Sequence, residues 1–365
     1  MNQDARTSRR QWAALTLIVQ AALLLLGCSE TEESPSGQAA SQAAASQAAL
    51  DRFVAAEQPG CSAAVGRRGE VMWRGAQGVA DLNTGAPITP ETIFDIGSTS
   101  KQFTATAVLI LADSRRLELD DPLARYVDGL PQWSRHTSLD HLVHHTSGIP
   151  DYLLLLTARG HAETDRTTQR QALQTLTAIE RLEFDPGSSW RYSNSNYVLL
   201  AEVVQAVTGQ MLPDYLRQEV FDPLGLDMEM DPVGRIPGKA VSYQGAPSFT
   251  VADSKWEQIG DGAIQTTPSQ LVLWADNYRT GKLGGPSVMK ARLADAVLLR
   301  DGARYGAGII ELTDGSLSHG GQWGGFHTEF WISKDRSTAI AITCNMGGID
   351  IDGIRQSLAD IWATS

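Results

Sequence analysis

Hydrophobic positions follow three regimes along the chain. Residues 12–26 run almost uninterrupted as apolar side chains behind a basic flank of Arg6, Arg9 and Arg10. From residue 29 to about 47 the sequence is acidic, then rich in Ser, Ala and Gln, with no strong hydrophobic periodicity. From Leu50 onward, helical and strand-like spacings alternate. Leu50, Phe53, Val54 and Glu57 predict a short amphipathic helix ended by Pro59-Gly60. Residues 61–66 and 71–75 read as a hairpin around Arg67-Arg68-Gly69. Residues 103–112 are apolar on every side, the mark of a buried helix. An irregular segment delivers Ser98 to the N-terminus of that helix.

The middle of the chain reads as helical and loop-rich. Ser138 is placed to cap a helix over 139–143, and the amphipathic stretch 197–207 closes on Gly209. Thr267-Pro268-Ser269-Gln270 fits a capped start with Pro at the first helical position and Gln at the third. Strand-like spacing returns at 306–312, 327–332 and 339–344, and residues 349–362 make a terminal helix. These elements predict an α/β (α+β) fold: one sheet built from both chain ends, with a helical lobe inserted. The sheet lobe takes about 48–97 and 295–365, the helical lobe about 98–294. No internal repeat is visible.

With 365 residues the chain can bury a large core, and its formal net charge of -12 argues against nucleic acid, whose phosphates it would repel. The apolar run 12–26 is short for a membrane span, which needs roughly 20 residues, and reads as the core of a signal peptide. It ends at Leu25-Leu26-Gly27-Cys28, which resembles the lipobox of bacterial lipoproteins. That resemblance implies a signal peptide over 1–27 and lipidation of Cys28; the apolar-poor composition that follows predicts a flexible tether over 28–47 before a folded domain over 48–365. An ordinary signal peptide or anchor with an incidental Cys28 is the alternative. Ser29 after the cysteine would favour the outer membrane, and Ser8-Arg9-Arg10-Gln11-Trp12 resembles, imperfectly, a twin-arginine export signal. Both export routes stay open. The expected location is the periplasmic side, with the lipid anchor in the membrane.

Ser98-Thr99-Ser100-Lys101 is an S-x-x-K tetrad, and on a helix residues three apart share a face. A lysine kept neutral by burial can take the serine proton. The tetrad alone is weak, because Ser287-Val288-Met289-Lys290 also matches; that copy lacks a buried helix behind it and is read as chance. The first copy is followed by Tyr192-Ser193-Asn194, just before a helix, and by His319-Gly320-Gly321, read as an edge strand. Singly, these are ordinary: a loop aromatic, a helix cap, a surface histidine. In this order, together with Ile96-Gly97, His145-Thr146-Ser147-Gly148, Gly260-Asp261-Gly262 and Tyr305-Gly306-Ala307-Gly308, they resemble the serine β-lactamase-like superfamily. The likeness runs over about 50–362 and is closest to class C β-lactamases, D-alanyl-D-alanine carboxypeptidases and related esterases.

The resemblance implies a β-lactamase/transpeptidase-like fold, its sheet antiparallel and flanked by helices with an all-helical lobe inserted, and acyl-enzyme chemistry without cofactor or metal. Ser98 would be the nucleophile, with Lys101 and Tyr192 sharing the proton work in an order left open. Asn194 would hold a substrate amide oxygen or Lys101, His319 and Gly321 would meet substrate, and the backbone N–H groups of Ser98 and Gln322 would form the oxyanion hole. His319-Gly320-Gly321 departs from the Lys-Thr-Gly of β-lactamases, losing a fixed charge and a hydroxyl that would hold a substrate carboxylate. Esterase or D-amino-peptidase-like hydrolysis of an ester, peptide or amide therefore ranks above β-lactamase or D,D-carboxypeptidase activity. A non-catalytic ligand-binding protein of the same fold is the rival from another class. If a charged His319 held a carboxylate, turnover would fall as pH rises past its pKa. His141, His144 and His145 lack a clear fourth ligand for zinc and are read as packing and loop groups. Cys61 and Cys344 open the first and close the last strand; in the resembling fold those strands are neighbours, which makes a disulfide an open question. The expected partner is a small-molecule or peptide substrate, including cell-wall fragments, met by a monomer. Loops 150–166 and 228–256 would set specificity.

Overall fold

The computed structural model describes residues 35–362 apart from 235 and 253. The signal peptide, the lipidation site Cys28 and the start of the expected tether lie outside the described residues. Those that follow include α1 (Pro35–Phe53), β1 (Cys61–Arg67), β2 (Glu70–Gln77), α2 (Lys101–Asp113), α3 (Asn194–Thr208) and α4 (Pro268–Ala275). The C-terminal third adds β3 (Val297–Leu298), β4 (Arg304–Tyr305), β5 (Ile310–Glu311), β6 (Leu317–Trp323), β7 (Phe326–Ile332), β8 (Thr338–Cys344) and α5 (Ile351–Trp362). The strands form one 8-stranded sheet in the order β3-β4-β5-β6-β7-β8-β1-β2. Every neighbouring pair is antiparallel, so the two chain ends meet at β8 and β1. This is the mixed fold anticipated from the sequence, with the helical segments inserted between β2 and β3.

Period-two alternation sorts the core onto the two faces of the sheet. Val65, Ile340 and Ile342 pack outward against Leu50 of α1, Val54 just after it, and Ile354, Leu358 and Trp362 of α5. Ala64, Ala339 and Ala341 face the other way, toward α2 and the helical lobe. Small residues on that face let α2 lie close, and α2 is buried over most of its length, from Lys101 to Leu111. Each fully buried aliphatic side chain contributes about 1.5–3 kcal/mol. Cys61 and Cys344 are register partners across β1 and β8, with Cα atoms 4.0 Å apart, and their sulfurs are bonded.

Two sequence expectations need correction. The stretch expected as a tether up to residue 47 is helical from Pro35. Its Ala-rich composition favours helix, and its contacts are polar and small rather than periodic and apolar. Ser46 is buried and its hydroxyl accepts a hydrogen bond from Trp362 Nε1 at 2.9 Å, while Gln42 Nε2 donates to the Ile361 carbonyl at 3.2 Å. Of the strand expected over 306–312 only β5 forms; a turn closed by Gly306 N donating to Ile309 O at 2.8 Å separates it from β4 just before. Gly308 makes the turn possible: its φ is +70°, and a Cβ there would lie 2.7 Å from the Lys101 carbonyl oxygen.

Candidate active site

The turn carrying Ser98 is a 3₁₀ segment, Gly97–Ser100, that runs directly into α2. Its entry is fixed by Asp95, whose Oδ1 accepts from Gly97 N at 2.8 Å, and by the Thr99 hydroxyl, which donates to the His319 carbonyl at 3.1 Å. Glycines on both sides bring this turn against β6. A Cβ at Gly321 would sit 2.0 Å from the Ile96 oxygen and 3.1 Å from the Ser98 nitrogen; one at Gly97 would sit 2.8 Å from the Gln322 nitrogen. Ser98 and Gln322 thereby come to line the same cavities.

β6 is not the edge strand read from the sequence. β5 and β7 flank it, but β5 pairs only with Leu317 and Ser318, so the rest of β6 faces the Ser98 turn instead of another strand. The extra strands β3 to β5 are too short for alternation to reveal them.

One turn along the helix face from Ser98, Lys101 is fully buried. Its Nζ lies 3.0 Å from Ser98 Oγ, 2.8 Å from Asn194 Oδ1 and 2.6 Å from the Asp261 carbonyl oxygen. Burial lowers the Lys101 pKa to about 8, against the opposing pull of the Asp261 and Asp151 carboxylates. A neutral amine fits these partners as well as an ammonium does. Its two N–H bonds serve the two carbonyl oxygens, and its lone pair is left for the Ser98 hydroxyl. Asn194 opens α3 and is itself held by Asp151, whose Oδ2 accepts from Asn194 N at 3.0 Å and Nδ2 at 2.8 Å.

Tyr192 completes the group from the far side. Its hydroxyl is buried beside Ser98 without completing a hydrogen bond to it, and burial pushes the phenol well above its ordinary range, the Ser98 hydroxyl opposing. The ring stacks on His145 at 4.3 Å between centroids. His145 belongs to a hydrogen-bonded line whose direction is set at its ends. His145 Nδ1 accepts from Ser193 N at 3.2 Å and from Asn196 Nδ2 at 3.0 Å, so its Nε2–H donates to Tyr305 Oη at 3.1 Å. Tyr305 then donates to His319 Nε2 at 3.2 Å, and His319 Nδ1–H donates to the Gly320 carbonyl at 2.7 Å. Burial lowers His319 to about 4, with the Lys101 charge pushing the same way, so the ring is neutral at neutral pH. Burial thus weighs against a charged His319 that clamps a substrate carboxylate.

The structure therefore brings together Ser98, Lys101, Tyr192, Asn194, His319, Gly321 and Gln322. The second tetrad stays apart, with Ser287 and Lys290 exposed on a short helix. His141 accepts from Ser138 N through Nδ1 at 3.1 Å as half of a capping box, and His144 lies 2.9 Å from Asp140. Among the described residues no group of three or more His, Cys, Asp or Glu is placed to hold a metal. No described helix is long and apolar enough to cross a membrane.

Sequence reasoning missed the roles of Asp151, Asp261, His145 and Tyr305. Asp261 and Tyr305 did stand within glycine-bearing phrases. That signal is physical: Gly260 has φ +100°, and a Cβ there would lie 2.3 Å from the Tyr197 carbonyl, so the turn that presents the Asp261 carbonyl to Lys101 tolerates only glycine.

Comparisons with known proteins agree with this architecture. The family model described as Beta-lactamase matches residues 47–354. The D-aminopeptidase of Brucella anthropi is 30% identical over 298 residues, covering 80% of this chain and 56% of that protein. The chain thus spans about half the length of the curated relatives it matches. Among solved structures, a D-stereospecific amidohydrolase from Streptomyces sp. has TM-score 0.72 at 22% identity, covering 88% of this chain and 99% of that one. A penicillin binding protein from Bacillus halodurans has TM-score 0.76 at 21% identity, covering 88% and 99%. These structural likenesses show the fold. The chain belongs to the Beta-lactamase family.

Proposed function

We propose that this Beta-lactamase family member is a serine hydrolase that cleaves an ester or amide through an acyl-enzyme on Ser98, acting as an esterase or D-amino-peptidase-like enzyme. The observation that carries the reading is the buried Lys101 amine 3.0 Å from Ser98 Oγ, with its two other partners already supplied by Asn194 and Asp261. With a pKa of about 8, on the order of a tenth of Lys101 is neutral at pH 7 and able to take the Ser98 proton as the oxygen attacks a carbonyl carbon. The Tyr192 phenol, held protonated by burial, is the group suited to hand a proton to the leaving oxygen or nitrogen and to be recharged from Lys101. The carbonyl oxygen, now an oxyanion, is received by the N–H groups of Ser98 and Gln322. One such donor is worth about 3 kcal/mol in the transition state. Water then attacks the ester of Ser98 by the same route in reverse.

A neutral His319 favours substrates without a leaving-group carboxylate, placing β-lactamase and D,D-carboxypeptidase activity behind esterase, amidase and aminopeptidase activity. Wild-type protein is expected to hydrolyse a p-nitrophenyl ester, and Ser98→Ala to lose at least a thousandfold in kcat/KM. Equal rates would discard Ser98 as nucleophile.

The apolar run 12–26 and Cys28 support export and lipid anchoring on the periplasmic side. From Cys28 to α1 the chain spans at most about 25 Å, which would hold the domain close to its membrane. Metabolic labelling with a palmitate analogue, lost in Cys28→Ala, tests the anchor.

A further inference from the structure

Ser98 stands between two cavities of different character. The one on the Tyr192 side is walled by neutral groups, among them Trp190, Tyr305 and His319. The one on the other side is walled by Asp261, Gln258 and Tyr152, with Asp95 deeper in the wall. A substrate attacked by Ser98 places one half in each. Tyr192, the group suited to protonate the leaving group, lines the first cavity, so the acyl half belongs in the second. This assignment rests on the hydrolase reading above.

The acyl cavity holds two polar side chains that the catalytic scheme leaves unused. Asp261 is 8% exposed, and its carboxylate is oriented by the Tyr152 hydroxyl, which donates to Oδ2 at 2.9 Å. Burial raises its pKa to about 6, with Lys101 opposing, so at neutral pH it is a charged group that water solvates poorly. Gln258 is 5% exposed; its Nε2 has no hydrogen-bond partner, while Oε1 accepts from the Thr167 hydroxyl at 3.3 Å. Turned about its last torsion, the amide keeps Thr167 through nitrogen and offers its oxygen to the cavity. Asp95 is committed, with Oδ1 taken by Gly97 N and Oδ2 by Gln265 Nε2, and adds only to the negative field.

We propose that Asp261, with Gln258 beside it, binds the free α-ammonium group of the residue whose carbonyl Ser98 attacks. The substrates are then aminoacyl amides, aminoacyl esters and peptides cleaved after an unblocked first residue. An α-nitrogen is two bonds from the attacked carbonyl carbon, and Ser98, Asp261 and Gln258 line the same cavity. An N-acylated substrate would instead set a neutral amide against a buried carboxylate and bring it no positive charge.

The test is the ratio of kcat/KM for alanine p-nitroanilide to that for N-acetylalanine p-nitroanilide, measured with both enantiomers. Wild type is expected to favour the free amine at least tenfold. Asp261→Asn and, independently, Gln258→Leu are expected to shrink that ratio at least fivefold. Any effect of the lost charge on Lys101 slows both substrates alike and cancels in the ratio. A wild-type ratio near one, a ratio unchanged in Asp261→Asn, or failure to cleave either anilide while Ser98 still reacts with a fluorophosphonate overturns the amine site. Absence of a fluorophosphonate adduct on Ser98 overturns the hydrolase reading itself.

Discussion

Lys101 is the residue on which the proposed chemistry turns, because burial lowers its pKa into the working range while three oxygen partners hold the amine in place. The sign of the pH effect follows. The active form is the neutral amine, so kcat/KM for a neutral ester rises with pH and levels above about 8. His319, lowered to about 4, adds no alkaline fall. A stopped rate series from pH 5 to 9 checks this: a profile flat across 7 to 9 would remove Lys101 as the base. Ser98, Lys101, Tyr192 and Asn194 were legible in the sequence because side-chain identity at fixed spacing carries their chemistry. Asp261 was legible only as a phrase, since it holds Lys101 through a backbone carbonyl, which any residue possesses.

At the scale of elements, the close approach of β6 to the Ser98 turn creates the paired N–H groups. Gly321→Ala would place a Cβ 2.0 Å from the Ile96 oxygen and push the strand away. We expect a loss of at least a hundredfold in kcat/KM, matching about one oxyanion donor, with a circular dichroism spectrum like wild type. Retained activity would show that Gln322 N is not a donor. The hairpin β1–β2, the strands β7 and β8 and the helix α5 were readable because each is long enough to show its period. The part of α1 before Leu50 was not, since a Ser/Ala face docks through small and polar contacts such as Ser46 to Trp362. Nor was the line from His145 through Tyr305 to His319, whose members lie 160 and 14 residues apart.

Over the whole molecule, the two chain ends are joined where β8 pairs with β1, and the Cys61–Cys344 bond closes that join across 283 residues of sequence. Breaking it in a Cys61→Ala/Cys344→Ala variant is expected to cost about 2–4 kcal/mol of stability, read by chemical denaturation. An unchanged midpoint would show that the join is held by β1–β8 pairing and the packed faces alone. Everything in the functional account depends on that frame presenting Ser98 as an activated nucleophile. The most direct measurement is intact-mass spectrometry of the protein after a fluorophosphonate, followed by peptide mapping. The account predicts one adduct on Ser98, absent from Ser98→Ala; a folded wild-type protein that stays unmodified would contradict it.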